Sequence, residues 1–254
     1  MNTHVVFSGK ALAYLFASAI MVISCNTSTK KNIPDSNQST IEKNNDWKLL
    51  FDGKTTSGWH TYGTDTIGTA WKVEDSTLHL DASQKGDWQT KNGGDIVTND
   101  EFGNFDLQLD WKISDGGNSG IMFYVKEDTS KYQYAWNSGP EMQIADNEKN
   151  EDGKVYKSRA GDLYELFPTT SQQYVKPAMQ WNHIEIKSDK GKLDFYMNDH
   201  HVLDTTIWDD AWKKNIAGTK FKDMPGFGTY KKGKIALQDH GADVWFRNIK
   251  IKVL

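Results

Sequence analysis

The clearest pattern in the chain is Phe105-Asp-Leu-Gln-Leu-Asp-Trp-Lys-Ile113. Phe105, Leu107, Leu109, Trp111 and Ile113 fall on one side of an extended backbone and Asp106, Gln108, Asp110 and Lys112 on the other, as in a half-buried β-strand. The same period of two recurs through most of the chain after Trp47. Ala70–Glu74 and Thr77–Asp81 alternate about Asp75-Ser76, and Trp181–Lys187 and Lys192–Met197 alternate about Asp189-Lys190-Gly191. Each pair predicts a hairpin. Trp47–Phe51 is apolar and is followed by the turn signal Asp52-Gly53; further strands are expected at 95–99, 121–125, 141–145, 163–167, 201–204, 234–239 and 244–253, with a helical turn or two only at Asp209–Asn215. Asp115–Gly120 reads as a turn, and residues 81–94 and 147–162 read as polar loops. About a dozen short strands with Gly, Asn and Asp between them predict an all-β protein, a sandwich or jelly roll in one domain.

The N-terminal text is different. Residues 1–24 read as a targeting segment, with Lys10 before a short apolar run from Ala11 to Ile23. That run is short for a membrane span. It ends in Val22-Ile23-Ser24-Cys25, which resembles a lipobox and predicts cleavage before Cys25 and lipidation of it. Cys25 is the sole cysteine, so disulfides, a thiolate nucleophile and cysteine-bound zinc are excluded from the domain that follows. Residues 26–46, rich in Asn, Ser, Thr and Lys, form the expected tether, and 47–254 the domain. Acyl chains on Cys25 would place the protein in the cell envelope, held to a membrane, periplasmic or on the outer membrane. The net charge of −4 comes with no basic stripe, which argues against nucleic acid as a partner.

Chemistry concentrates in two strands. In Gly139-Pro-Glu-Met-Gln-Ile-Ala-Asp146, Met142 and Ile144 point one way and Glu141, Gln143 and Ala145 the other. In the run ending Leu237-Gln-Asp-His240, Ile235 and Leu237 mark the buried face, so Gln238 and His240 share the opposite one. Carboxylate, imidazole and amides presented in i, i+2 pairs suit a polar ligand such as a polyol. Asn118 could add an amide. Arg247 shares parity with Trp245 and Ile249 and is expected on an inner face, as an anion-binding fork or in a salt bridge with an aspartate. Trp111 and Trp245 are assigned to the core, and Trp136 is a candidate sugar-stacking platform. No nucleophile elbow, phosphate loop, dinucleotide fingerprint or strong metal motif occurs, so no cofactor is expected beyond a weak Ca²⁺ site among aspartates.

Taken in order, Leu50-Phe-Asp-Gly-Lys54, Gly58-Trp59, Trp71-Lys-Val-Glu74, Phe105–Trp111, Asn118–Ile121, Gly139–Asp146, Trp181-Asn182, Leu237–Gly241 and Phe246–Ile249 resemble the 3-keto-disaccharide hydrolase family, formerly a domain of unknown function. Asn198-Asp199 replaces the family's usual Asn-Gly turn. The resemblance implies a concanavalin-like β-sandwich, often a bacterial lipoprotein, that cleaves glycosides already oxidised to a ketone at C3. Such a ketone acidifies the C2 proton, and the enolate formed can expel the group at C1. By resemblance, Glu141 and His240 are base and acid in an order left open. Gln143, Gln238, Asn118 and Arg247 would hold the keto sugar or enolate, with Asp146 and Trp136 as further contacts. Hydrolysis of an unmodified glycoside would instead pair Glu141 with Asp146, whose offset places them on opposite pleats. A lectin-like binding module without turnover, or a surface-assembly lipoprotein, are the non-enzymatic alternatives.

Overall fold

The computed structural model describes residues 46–254. The expected targeting segment, Cys25 and the expected tether up to residue 45 lie outside the described residues. In chain order the strands are β1 (Trp47–Leu49), β2 (Trp59–Thr61), β3 (Trp71–Glu74), β4 (Thr77–Leu80), β5 (Ile96–Thr98), β6 (Phe105–Ile113), β7 (Asn118–Val125) and β8 (Glu141–Ala145). They continue as β9 (Asn182–Asp189), β10 (Lys192–Met197), β11 (His200–Thr206), β12 (Lys234–Leu237) and β13 (Val244–Val253), with one α-helix, α1 (Asp210–Ala217), before β12. All strand pairs are antiparallel. One sheet runs β11-β10-β9-β6-β13-β4-β3 with β1 also on β13, and the other β2-β5-β12-β7-β8. The fold is an all-β, two-sheet sandwich.

Local sequence explains the elements. Asp75 and Ser76 (φ 48° and 58°) and Asn198 and Asp199 (φ 49° and 68°) make two-residue hairpin turns with both residues left-handed, the geometry whose twist matches the flanking strands. β6 buries every second residue as its alternation requires. Its apolar face meets Ile121, Phe123, Met142, Ile144, Ile235 and Leu237 of the other sheet in one core. β7 is buried along its whole length, because loops cover its second face. The segment 163–167, expected as a strand, forms only bridges from Leu163 to Met142 and Phe167. The backbone of 162–164 nonetheless seals the edge of β8: Gln143 N donates to Asp162 O at 3.0 Å and Tyr164 N to Glu141 O at 2.9 Å.

Two expectations for β13 are corrected by a bulge. Val244 and Phe246 face the core before it and Ile249 and Ile251 after it. Between Arg247 and Lys250 the register against β6 slips by one residue, with Asn248 at φ 55°. Trp245 and Arg247 therefore do not share a face with Ile249. Trp245 lies outside, stacked on His79 at 4.5 Å, rather than in the core. Trp111 is core, as expected.

Candidate active site

The site is laid out by the register of three adjacent strands. Glu141 of β8 faces Met122 of β7, which faces Ala236 of β12. One rung on, Gln143 pairs with Gly120, whose carbonyl accepts from Gln238 N at 2.9 Å. Gln143 and Gln238 thus stand two strand spacings apart, about 10 Å, with no side chain between them. Asn118 pairs with Ala145 one rung further, on the same face. A cavity of about 380 Å³, within the range of small-molecule sites, opens over this floor.

Glu141 fills the gap left by Gly120. A Cβ at Gly120 would lie 1.7 Å from Glu141 Oε1, so the carboxyl leans over the glycine. Oε1 is buried with no hydrogen-bond partner, and so is Oε1 of Gln238. Orphaned acceptors are costly unless a ligand completes them. Burial above all, and then the charge of Asp95, push the Glu141 pKa up to about 8, while Lys220 pulls the other way. Glu141 is consequently protonated at neutral pH.

The walls come from loops. His240 is exposed at the rim, edge-on to Trp88 at 5.8 Å. Trp88 meets Tyr134 edge-on at 5.2 Å, and Tyr134 stacks on Trp136 at 5.4 Å. Such rings suit the apolar faces of a sugar. Tyr164, Lys220, Phe221 and Met224 complete the lining. Asp152 enters from the 147–162 loop, where it accepts from Asn118 Nδ2 at 2.6 Å. Asn118 Oδ1 accepts in turn from Gln143 Nε2 at 3.3 Å.

Asp239, between Gln238 and His240, points the other way and pins this end of the site. Its carboxylate accepts from Thr90 N at 2.9 Å, Thr90 Oγ1 at 3.0 Å, Gly94 N at 2.8 Å and Gly241 N at 2.9 Å. It so ties the loop bearing Trp88 to the strand end bearing His240. Its own N–H donates to Asp95 Oδ1 at 3.0 Å, and burial pushes Asp95 up to about 7. Asp239→Ala strands several buried donors. It should lower stability by about 3 kcal/mol, read as a fall in the urea midpoint.

Of the residues singled out in the sequence, the structure brings Glu141, Gln143, Gln238, His240, Asn118 and Trp136 to one cavity. Two do not belong there. Arg247 sits in the other sheet, where Nε donates to Asp110 Oδ2 at 3.1 Å and the guanidinium lies 4.0 Å from the centroid of the Trp181 ring. Asp146 folds back onto Gly116 N at 2.8 Å and Glu148 N at 3.0 Å, so it closes a turn. Trp88, Tyr134, Asp152, Tyr164, Lys220, Phe221 and Met224 are the lining residues sequence reasoning missed; aromatics in polar loops were the available signal for the first two. Among the described residues no group of three or more His, Asp or Glu gathers to hold a metal.

Fold and cavity together define the class: a β-sandwich with a small-molecule-sized hollow on one sheet, lined by aromatic rings and a few polar side chains. The model of the 3-keto-alpha-glucoside-1,2-lyase-like domain matches residues 46–252, and the chain belongs to that family. A Bacteroides thetaiotaomicron protein named 3-keto-disaccharide hydrolase is 35% identical, the match covering 92% of this chain and 87% of that one. A crystal structure of a candidate glycosyl hydrolase from Parabacteroides distasonis is similar at TM-score 0.72 and 30% identity, covering 82% of this chain and 94% of that one. A second from the same organism gives 0.61 and 28%, covering 82% and 99%.

Proposed function

We propose that this enzyme cleaves the glycosidic bond of 3-keto-disaccharides by elimination, followed by addition of water. A base removes the C2 proton, made acidic by the neighbouring ketone. The enolate re-forms its carbonyl, a C1–C2 double bond appears, and the C1–O bond breaks. The leaving oxygen takes a proton, and water then adds across the double bond to complete hydrolysis. The observation that carries this reading is the buried Glu141 carboxyl over Gly120, with Oε1 unpartnered and its pKa raised to about 8. A carboxyl that holds its proton at neutral pH can donate it to the leaving oxygen. His240, at the rim, takes the C2 proton. Gln143, Gln238 and Asn118 hold hydroxyls, and the Trp88, Tyr134 and Trp136 wall receives a ring face.

The lipobox ending at Cys25 supports a lipid-anchored position in the cell envelope. The test of the reaction is incubation of purified protein with a 3-keto-disaccharide and with its parent disaccharide. Release of free sugar from the keto compound alone is expected. Equal cleavage of both would mean ordinary glycosidase chemistry, and binding without product would mean a lectin-like module.

A further inference from the structure

An elimination through an enolate needs a donor for the oxygen on which negative charge develops, and Arg247 is not at the cavity. Lys220 is the one Lys or Arg among the lining residues. Its Nζ donates to the Tyr164 hydroxyl oxygen at 3.0 Å and lies 4.3 Å from the centroid of the Tyr164 ring. That is the only hydrogen bond of the Tyr164 hydroxyl among the described residues. The phenol oxygen accepts from the ammonium, so its own O–H remains free to donate. An ammonium bonded to the phenol oxygen also makes that O–H a stronger donor.

Both side chains come from anchored segments. Tyr164 N is bonded to Glu141 O at 2.9 Å, so the tyrosine stands beside the acid across the sheet edge. Lys220 opens a short turn after α1. The helix is docked by Trp212 Nε1 on Gly228 O at 2.9 Å and Asn215 Nδ2 on Leu166 O at 2.9 Å, and the turn is capped by Thr219 Oγ1, which accepts from Phe221 N at 3.2 Å. The Lys220 side chain is half exposed and its Nζ also lies 3.7 Å from Glu165 Oε1, yet its bond to the phenol oxygen is in place before substrate arrives, which is what electrostatic stabilisation of a developing charge requires.

We infer that Tyr164 is a further catalytic residue, donating its hydroxyl hydrogen to the C3 oxygen of the keto sugar, and that Lys220 is the positioning residue that holds and polarises it. The inference rests on the keto-sugar reading above. As the base takes the C2 hydrogen as a proton, the C–H pair becomes the C2–C3 double bond and the carbonyl π pair moves to O3. The Tyr164 hydrogen bond shortens onto that oxygen, and the ammonium behind it offsets the charge. When the O3 pair re-forms C3=O, the C2–C3 π pair becomes the C1–C2 double bond, the C1–O bonding pair leaves with the oxygen, which takes its proton from Glu141, and Tyr164 keeps its own proton. A parent sugar has an alcohol at C3 and develops no such charge, so the pair also discriminates for the ketone.

The test uses Tyr164→Phe and Lys220→Met with a 3-keto-disaccharide, unlabelled and deuterated at C2. Tyr164→Phe should lower kcat about 10²-fold and Lys220→Met about 10-fold, with KM within about threefold of wild type. The deuterium effect on kcat should grow in both, because the loss falls on C–H cleavage. Urea midpoints near wild type would show that both variants are folded. Wild type that cleaves the keto sugar alongside variants of unchanged kcat overturns the role of the pair alone. Wild type inert toward every 3-keto-disaccharide overturns the reading beneath it as well.

Discussion

Glu141→Gln is expected to lower kcat for the keto-disaccharide by about 10³-fold or more and to stabilise the protein at alkaline pH. The first effect is loss of the proton donor with the side chain's shape retained. The second follows from linkage. The carboxyl binds its proton far more tightly in the fold, at about 8, than its ordinary value of 4.5. The stability that goes with the bound proton is complete below about pH 4.5 and is lost as pH rises through 8. A glutamine suffers no such loss. Against it stands the desolvation of the new buried amide, so a net gain of about 2 kcal/mol at pH 9 is expected. Urea midpoints at about pH 9 and pH 5 check this: the variant should exceed wild type at the first and fall below it by a similar margin at the second, where wild type keeps its proton and the cost of the buried amide remains. Activity given up for stability in one substitution would mark Glu141 as a strained functional group rather than a structural one.

Gly120→Ala should be the second most damaging change, although Gly120 carries no chemistry. The new Cβ would meet Glu141 Oε1 at 1.7 Å, Cδ at 2.5 Å and Cγ at 2.8 Å, so the carboxyl must leave the floor of the cavity. Gly120 lies within β7, where an alanine backbone fits, so the strand survives. A displaced acid costs about 10²-fold in kcat. Combining Gly120→Ala with Glu141→Gln should cost little beyond Glu141→Gln alone, since both remove the same contribution. Additive losses would mean that Gly120 acts independently of the carboxyl.

These two residues show what was legible in the sequence. The faces of Glu141 and Gln143, and of Gln238 and His240, were readable because a strand's alternation needs no knowledge of its neighbours. That β7 lies between β8 and β12 was not, because pairing between distant segments leaves no local period. Asn118-Ser-Gly120 read as the end of a turn, yet it is the first part of β7, and its glycine makes room for the acid. Arg247 was misplaced by a single extra residue, since a bulge at Asn248 reverses the parity on which its face was judged. Asp152, Tyr164 and Lys220 come from irregular segments, whose course is set by tertiary hydrogen bonds such as Asn118 Nδ2 to Asp152 Oδ2. The hairpins were the easiest part, because Asp75-Ser76 and Asn198-Asp199 signal their turns locally.

The account depends on Glu141 meeting the keto sugar with its proton on. The most direct measurement is kcat/KM for a 3-keto-disaccharide from about pH 6 to about pH 10, which reports the free enzyme's essential groups. The expected profile falls tenfold per unit above about pH 8, and Glu141→Gln removes that limb with the activity. A profile that instead climbs through pH 8 would make Glu141 the base, and one that is flat there would remove it from the reaction.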